Sequence, residues 1–258
     1  MDDAAISIEI DAQGTAWVTL DRPRVHNAFD DNLIAEMTDA LRRIGDDPGV
    51  RAVAIAARGT SFSAGADLNW MKRAAAASHA ENVADALRLA ELLRLLCELP
   101  KPTVALVQGP AYGGGVGLIA ACDIAIAAEE TAAFALTEVR LGLVPATISP
   151  YVIAAIGRRQ AQRYFLTAER FGAADALRIG LVHVVVPGAA LRAAAARMFD
   201  ALGQGGAGAL SAAKELIRSV AGRAIDADLM AETAERIASA RASNEARERI
   251  SAFLERRV

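Results

Sequence analysis

Val107-Gln108-Gly109-Pro110-Ala111-Tyr112-Gly113-Gly114-Gly115-Val116-Gly117 sets three consecutive glycines between a β-branched strand and an apolar helix. A turn of this composition leaves backbone N–H groups bare at a helix N-terminus, where they and the helix dipole can hold a phosphate or a developing oxyanion. A dinucleotide fingerprint would need G-x-G-x-x-G at the first strand–helix turn, followed by an acidic residue, and a Walker loop would need Lys-Ser or Lys-Thr after the glycines. The spacing and mid-chain position exclude the first, and Val116-Gly117-Leu118 excludes the second. An isolated cluster of this kind also suits a close-packed strand–helix turn with no ligand at all.

A second bare-amide turn lies upstream. Phe62-Ser63-Ala64-Gly65-Ala66-Asp67-Leu68 follows the strand-like Ala52-Val53-Ala54-Ile55-Ala56-Ala57 and leads into helix-compatible sequence. Together the two turns resemble the oxyanion-hole segments of the enoyl-CoA hydratase/isomerase (crotonase) family. Three further stretches extend the resemblance almost from end to end: Arg22-Pro23-Arg24-Val25-His26-Asn27-Ala28-Phe29, Ala121-Cys122-Asp123-Ile124-Ala125-Ile126-Ala127, and Phe134 to Pro145, which contains Thr137-Glu138-Val139-Arg140.

The resemblance implies an α/β fold, a crotonase-type spiral of stacked ββα units with a C-terminal helical trimerisation region. Residues 1–195 would form the core that binds acyl-CoA, and residues 196–258 would form the oligomerisation region of a homotrimer or hexamer. The oxyanion donors would be the amides of Ala66 and Gly114, and the proton-transfer residue Glu138. Read without the resemblance, Glu138 is better explained by an ion pair with Arg140 or another cation. Arg24 and Ala28 match positions near the pantetheine path, Ala64, Asp67 and Leu68 the segment beside the adenine, and Gly113 the glycine turn itself. Phe253 and Arg256 match a segment that reaches a neighbouring subunit's coenzyme A. Trp70 and Met71 would line an acyl tunnel or simply pack in the core.

One departure stands out. The family's well-studied hydratases carry two glutamates, and the position of the first is Gly117 here. Glu138 alone would then either activate water for addition or move a proton between carbons in a double-bond isomerisation. Ala66 to Lys72, followed by Gly142 to Gly157 with an Ile148-Ser149-Pro150 segment in place of a Gly-Gly-Thr-Gln type of sequence, resembles the branch of methylglutaconyl-CoA hydratases and their isoprenoid-degrading relatives, which points to a short branched acyl group. Lys72, Arg73 or Arg140 could meet a distal carboxylate on it. Coenzyme A is part of such a substrate, so no separate cofactor is expected.

Composition is compatible with this. The chain has 258 residues, 53% of them hydrophobic, and a net charge of −3. That size allows one large domain, and the charge balance points away from nucleic acid and anionic membranes. Apolar runs stop short of the roughly 20 residues a membrane span requires, and Met1-Asp2-Asp3-Ala4 has no secretory or transit signature, so a cytoplasmic location is expected. The three histidines are scattered and no metal is expected. Cys97 and Cys122 sit among apolar residues and read as buried thiols.

Alternation at residues 6–10 and 16–20 around Gln13-Gly14 predicts a hairpin. Asp30 predicts a helix start, ended by Gly45 and Pro48. Residues 68–99 read as helices with a mobile loop near 74–79, Thr103 to Val107 and Ile124 to Ala127 as strands, and 207–258 as amphipathic helices.

Overall fold

The computed structural model describes residues 4–255. The predicted hairpin is present: β1 (Ile6–Ile10) pairs antiparallel with β2 (Thr15–Leu20). Helix α1 (Asp31–Asp46) starts at Asp30, whose side chain accepts from the Leu33 amide at 2.9 Å. It runs through Gly45 and stops before Pro48, because buried Ile44 holds the last turn and proline bars any continuation. Next come β3 (Ala52–Ala57), α2 (Leu68–Ala76) and α3 (His79–Glu98). The expected loop near 74–79 is only a short joint at Ala77 and Ser78, where Ser78 and Glu81 form a reciprocal capping box.

Strands β4 (Thr103–Val107) and β5 (Ala111–Tyr112) precede α4 (Gly114–Ala121), β6 (Ile124–Ala128) and β7 (Ala133–Ala135). A 3-10 turn, Glu138–Leu141, leads towards α5 (Ser149–Thr167), which is kinked at Gly157. Then follow β8 (Phe171–Gly172), α6 (Ala173–Ile179), β9 (Val184–Val186), α7 (Leu191–Gly203), α8 (Ala207–Val220), α9 (Ala227–Ala242) and α10 (Asn244–Glu255).

The main sheet has the order β1-β2-β3-β4-β6-β9 and is parallel from β2 onward, and a small sheet β5-β7-β8 lies beside it. Helices cover both faces. Leu33, Ile34, Met37 and Leu41 of α1 join Leu92, Leu93 and Leu96 of α3 on one face, and Leu191, Ala194 and Ala195 of α7 pack on Val104, Leu106 and Ile126 on the other. Two-sided cover explains why β4 is apolar at every position but its first, without alternation. The boundary expected after residue 195 falls inside α7, which also places Phe199 edge-on to Trp17 at 5.8 Å.

The terminal helices are tied on by polar contacts. Lys214 of α8 reaches Asp123 at 2.8 Å and the Lys101 carbonyl at 3.2 Å, and Arg218 donates to the Cys97 carbonyl. Glu245 of α10 accepts from the Ala209 amide at 3.0 Å. Both cysteines are free. Cys122 is buried, whereas Cys97 is only partly so, because it lies beside α8 near the surface. Among the described residues no helix is long and apolar enough to cross a membrane.

Candidate active site

The two glycine turns rise from neighbouring parallel strands, β3 and β4, at their carboxyl ends, the place where open α/β sheets present ligand-binding loops. They are interlocked. Ser63 bridges Ala111, the Tyr112 amide donates to the Ser63 carbonyl at 2.9 Å, and the Phe62 amide donates to Pro110 at 2.9 Å. Gly65 has φ +84°, and a Cβ there would stand 2.9 Å from the Tyr112 oxygen. Both backbone conformation and space therefore demand glycine. A Cβ on Gly115 would likewise stand 2.9 Å from the Ser63 oxygen.

A loop over residues 22–29 aims Ala66. Phe29 bridges Ala66 in parallel fashion, its amide donating to the Gly65 carbonyl and its carbonyl accepting from the Asp67 amide. That pattern uses the groups on either side of Ala66 and turns the Ala66 N–H the other way. It donates to no protein acceptor among the described residues. Gly113, at φ +48° and ψ −115°, ends β5 and starts α4. Its own amide is taken by the Ala135 carbonyl at 2.9 Å, which leaves Gly114 as the first helical residue, whose N–H has no intrahelical partner. The site thus has two bare amides on rigid turns, one of them at the positive end of a helix dipole.

Glu138 opens the 3-10 turn after β7. Its Oε1 would lie 3.0 Å from a Cβ on Gly113, so the carboxylate rests directly against the glycine turn. Oε2 is buried with no hydrogen-bond partner among the described residues, and no ion pair joins Glu138 to Arg140. Desolvation pushes the carboxyl above the ordinary glutamate value, opposed only by its own backbone N–H. Glu138 is thus no partner in a salt bridge among the described residues, and an unpaired, half-buried carboxylate beside bare amides has the chemistry to move a proton.

Position 117 is closed. A Cβ on Gly117 would meet Ile148 Cγ2 at 2.2 Å and Cβ at 2.6 Å, and Ile148 is 2% exposed. The place of a second glutamate is occupied by an aliphatic side chain.

The other expected residues fall as follows. Ala28 is buried, and its carbonyl accepts from Arg22 at 2.7 Å. Ala64 and Leu68 are exposed, Leu68 at 74%. Asp67 caps α2 by accepting from Asn69 at 2.8 Å and faces Arg22 at 3.8 Å, so its carboxylate is engaged in holding the turn. Trp70 packs partly against the core and Met71 is half-buried. Arg24 is exposed without an ion pair among the described residues. Arg73 is drawn to Asp31 at 2.6 Å, while Arg140 and Lys72 are exposed. Phe253 lies on α10 at 55% exposure. Arg256 lies outside the described residues.

Three positioning residues went unassigned in the sequence. Asn27 is fully buried at φ 53°, donates to the Arg58 and Ser61 carbonyls at 2.8 and 2.9 Å, and accepts from the Arg22 amide at 2.8 Å. Ser63 Oγ donates to the Asn27 carbonyl at 2.8 Å. Arg22 completes the clasp with Asp30 at 2.7 Å. Their signal was a polar asparagine between Val25 and Phe29 in a stretch already matched as a motif.

Residues 11–258 match the family described as Enoyl-CoA hydratase/isomerase. The chain belongs to that family. An enoyl-CoA hydratase from Shewanella pealeana is 44% identical with a TM-score of 0.94, over 98% of this chain and 94% of that one. An enoyl-CoA hydratase from Mycobacterium smegmatis is 30% identical with a TM-score of 0.93, over 98% and 97%. A hydroxycinnamoyl-CoA hydratase-lyase from Pseudomonas fluorescens is 35% identical over 72% of this chain and 68% of its own. The fold is therefore the crotonase fold, and the chain is an enoyl-CoA hydratase/isomerase family enzyme.

Proposed function

We propose that the enzyme adds water to a short, branched enoyl-CoA of the 3-methylglutaconyl-CoA type. The observation that carries this reading is the pairing of two bare amides, Ala66 and Gly114, with one unpaired carboxylate, Glu138. Glu138 takes a proton from water as the water oxygen bonds to the β-carbon. The double-bond electrons move onto the thioester oxygen, where the two N–H groups hold the enolate, and Glu138 returns the proton to the α-carbon. Donors already fixed by the interlocked turns need no reorganisation, and each is worth about 3–4 kcal/mol of barrier. Glu138 must start ionised, so the acid limb of kcat should lie above the ordinary glutamate value of 4.5, in the direction desolvation pushes it.

A second reading is favoured by Ile148 over Gly117. With no second carboxylate to hold water, Glu138 would remove a γ-proton and return it to the α-carbon, shifting the double bond without adding mass. On either reading coenzyme A enters with the substrate, past Arg24, Ala64 and Leu68, with Trp70 and Met71 along the acyl group. Residues 196–258 would assemble a cytoplasmic homotrimer or hexamer through exposed Ile217, Met230 and Ile237.

The test is turnover of 3-methylglutaconyl-CoA, crotonyl-CoA and a 3-enoyl-CoA, with products resolved by mass. Hydrated product, lost in Glu138→Gln, is expected. A mass-neutral shift of the double bond replaces hydration with isomerisation, and binding without turnover overturns both.

A further inference from the structure

Phe29 touches both turns that carry a bare amide, each with a different part of itself. Its main chain clamps the first. The Phe29 N–H donates to the Gly65 carbonyl at 2.6 Å and the Phe29 carbonyl accepts from the Asp67 amide at 2.8 Å, one bond on either side of Ala66. Its ring meets the second. A Cβ on Gly114 would stand 3.2 Å from Phe29 Cδ2 and 3.4 Å from Cε2, so the ring edge abuts the first residue of α4 and limits how far that residue can settle inward. Phe29 is itself held on both sides. Arg22 Nη1 donates to the Ala28 carbonyl at 2.7 Å and Nη2 pairs with Asp30 at 2.7 Å, while Asp30 caps α1. With 1% exposure, the residue is a fixed point within the core.

The other ties between the two turns stop short of the amides. Ser63 bridges Ala111 and its carbonyl accepts from Tyr112, but among the described residues no hydrogen bond joins Gly65, Ala66 or Asp67 to Gly113, Gly114 or Gly115. One oxyanion must lie about 2.7–3.1 Å from both donors at once. The spacing of the two nitrogens therefore matters as much as their presence, and a misplacement of about 1 Å can cost about 10²-fold in rate.

We propose, on the oxyanion reading of Ala66 and Gly114, that Phe29 is a positioning residue: its main chain sets one donor and its ring the other, which fixes the spacing at which both N–H groups reach a single thioester oxygen.

The test uses the full chain and butyryl-CoA labelled with heavy carbon at the thioester carbonyl, a saturated compound with no double bond to hydrate. Isotope-edited infrared difference spectra read the carbonyl stretch. On binding to wild type the stretch should move to lower wavenumber, because two donors polarise the bond. Phe29→Ala keeps the main-chain clamp on Ala66 and frees Gly114. Much of the displacement should vanish, and kcat on whichever thioester is turned over should fall by about 10–10²-fold while the Kd of butyryl-CoA changes far less. Phe29→Leu refills part of the space and should lie between; should Phe29→Ala fail to fold, Phe29→Leu carries the test with a smaller shift. Gly114→Ala keeps the N–H but presses a Cβ onto the ring, so it should lose displacement as well, and Gly114→Ala/Phe29→Ala should regain part of it. A folded Phe29→Ala with lower Tm but unchanged stretch and kcat would reduce the ring to core packing and sink the proposal. A stretch that stays put when butyryl-CoA binds wild type would sink the oxyanion reading and the proposal with it. Wild type that binds no butyryl-CoA would remove acyl-CoA binding itself, and both with it.

Discussion

Helix α1 buries Leu33, Ile34, Met37, Ala40, Leu41 and Ile44 against the sheet, whereas α8 and α10 bury no residue among those described and α9 buries only Leu229. Both regions are rich in apolar side chains, yet in the terminal helices Ile217, Met230, Ile237 and Leu254 remain at least half exposed. The first region owes its place to burial within its own chain, at about 1.5–3 kcal/mol for each large side chain covered. The second is held by discrete ties, chiefly Lys214 to Asp123. The chemistry proposed for Ala66 and Gly114 lies on turns that leave the same sheet α1 covers.

The largest way to probe the contrast is Glu138→Gln. It should reduce kcat by about 10²–10⁴-fold and leave the assembly size measured by light scattering unchanged; a change in size would join the two regions. Ala66→Pro removes one of the two bare amides and should reduce kcat by about 10²–10³-fold, while Ala66→Ser, which keeps the N–H, should stay near wild type in the same assay.

Lys214→Met comes next. Lys214 is 10% exposed and its loss leaves Asp123 with only the Thr103 amide and hydroxyl, so about 1.5–3 kcal/mol should disappear in denaturant titration. A transition that splits into two would sharpen the comparison, and a single one with unchanged midpoint would break it. The smallest effect is on stability and pH. Because the folded pKa of Glu138 is raised, ionising it opposes folding as pH rises through the unfolded value of 4.5, and the penalty persists above the folded pKa. Glu138→Gln should therefore have the higher Tm at neutral pH, with the difference vanishing below pH 4.5.

Much of the candidate site's backbone geometry was legible because its demands are local. Close approach needs glycine: a Cβ on Gly65 or Gly115 would stand 2.9 Å from a facing backbone oxygen, on Gly113 3.0 Å from Glu138 Oε1, and on Gly114 3.2 Å from the Phe29 ring. Asp30 was readable as a cap for the same reason. The capping box at Ser78 and Glu81 carried its signal in Ser78-His79-Ala80-Glu81, although the alanine run before it reads as a loop. What the sequence hid was distance. Strands β5, β7 and β8 are too short to show alternation, and Ile148 over Gly117 is a contact between residues of different elements that no periodicity records. Asn27 was hidden for another reason: its three side-chain bonds end on backbone atoms, which any sequence can supply.

The two free thiols give the molecule its own clock. Cys97 lies half-covered beside α8, with its carbonyl held by Arg218 and its thiol pushed up by burial, while Lys214 and Arg218 pull the other way. Cys122 is sealed beneath the sheet end of α4, its Sγ 3.4 Å from the Leu118 carbonyl and its thiol driven far above the usual range by burial. Only the thiolate attacks an alkylating reagent, so Cys97 becomes available as soon as the terminal helices lift, and Cys122 waits for the core to open. The interval between the two labelling steps measures how far the detachment of the tail runs ahead of unfolding.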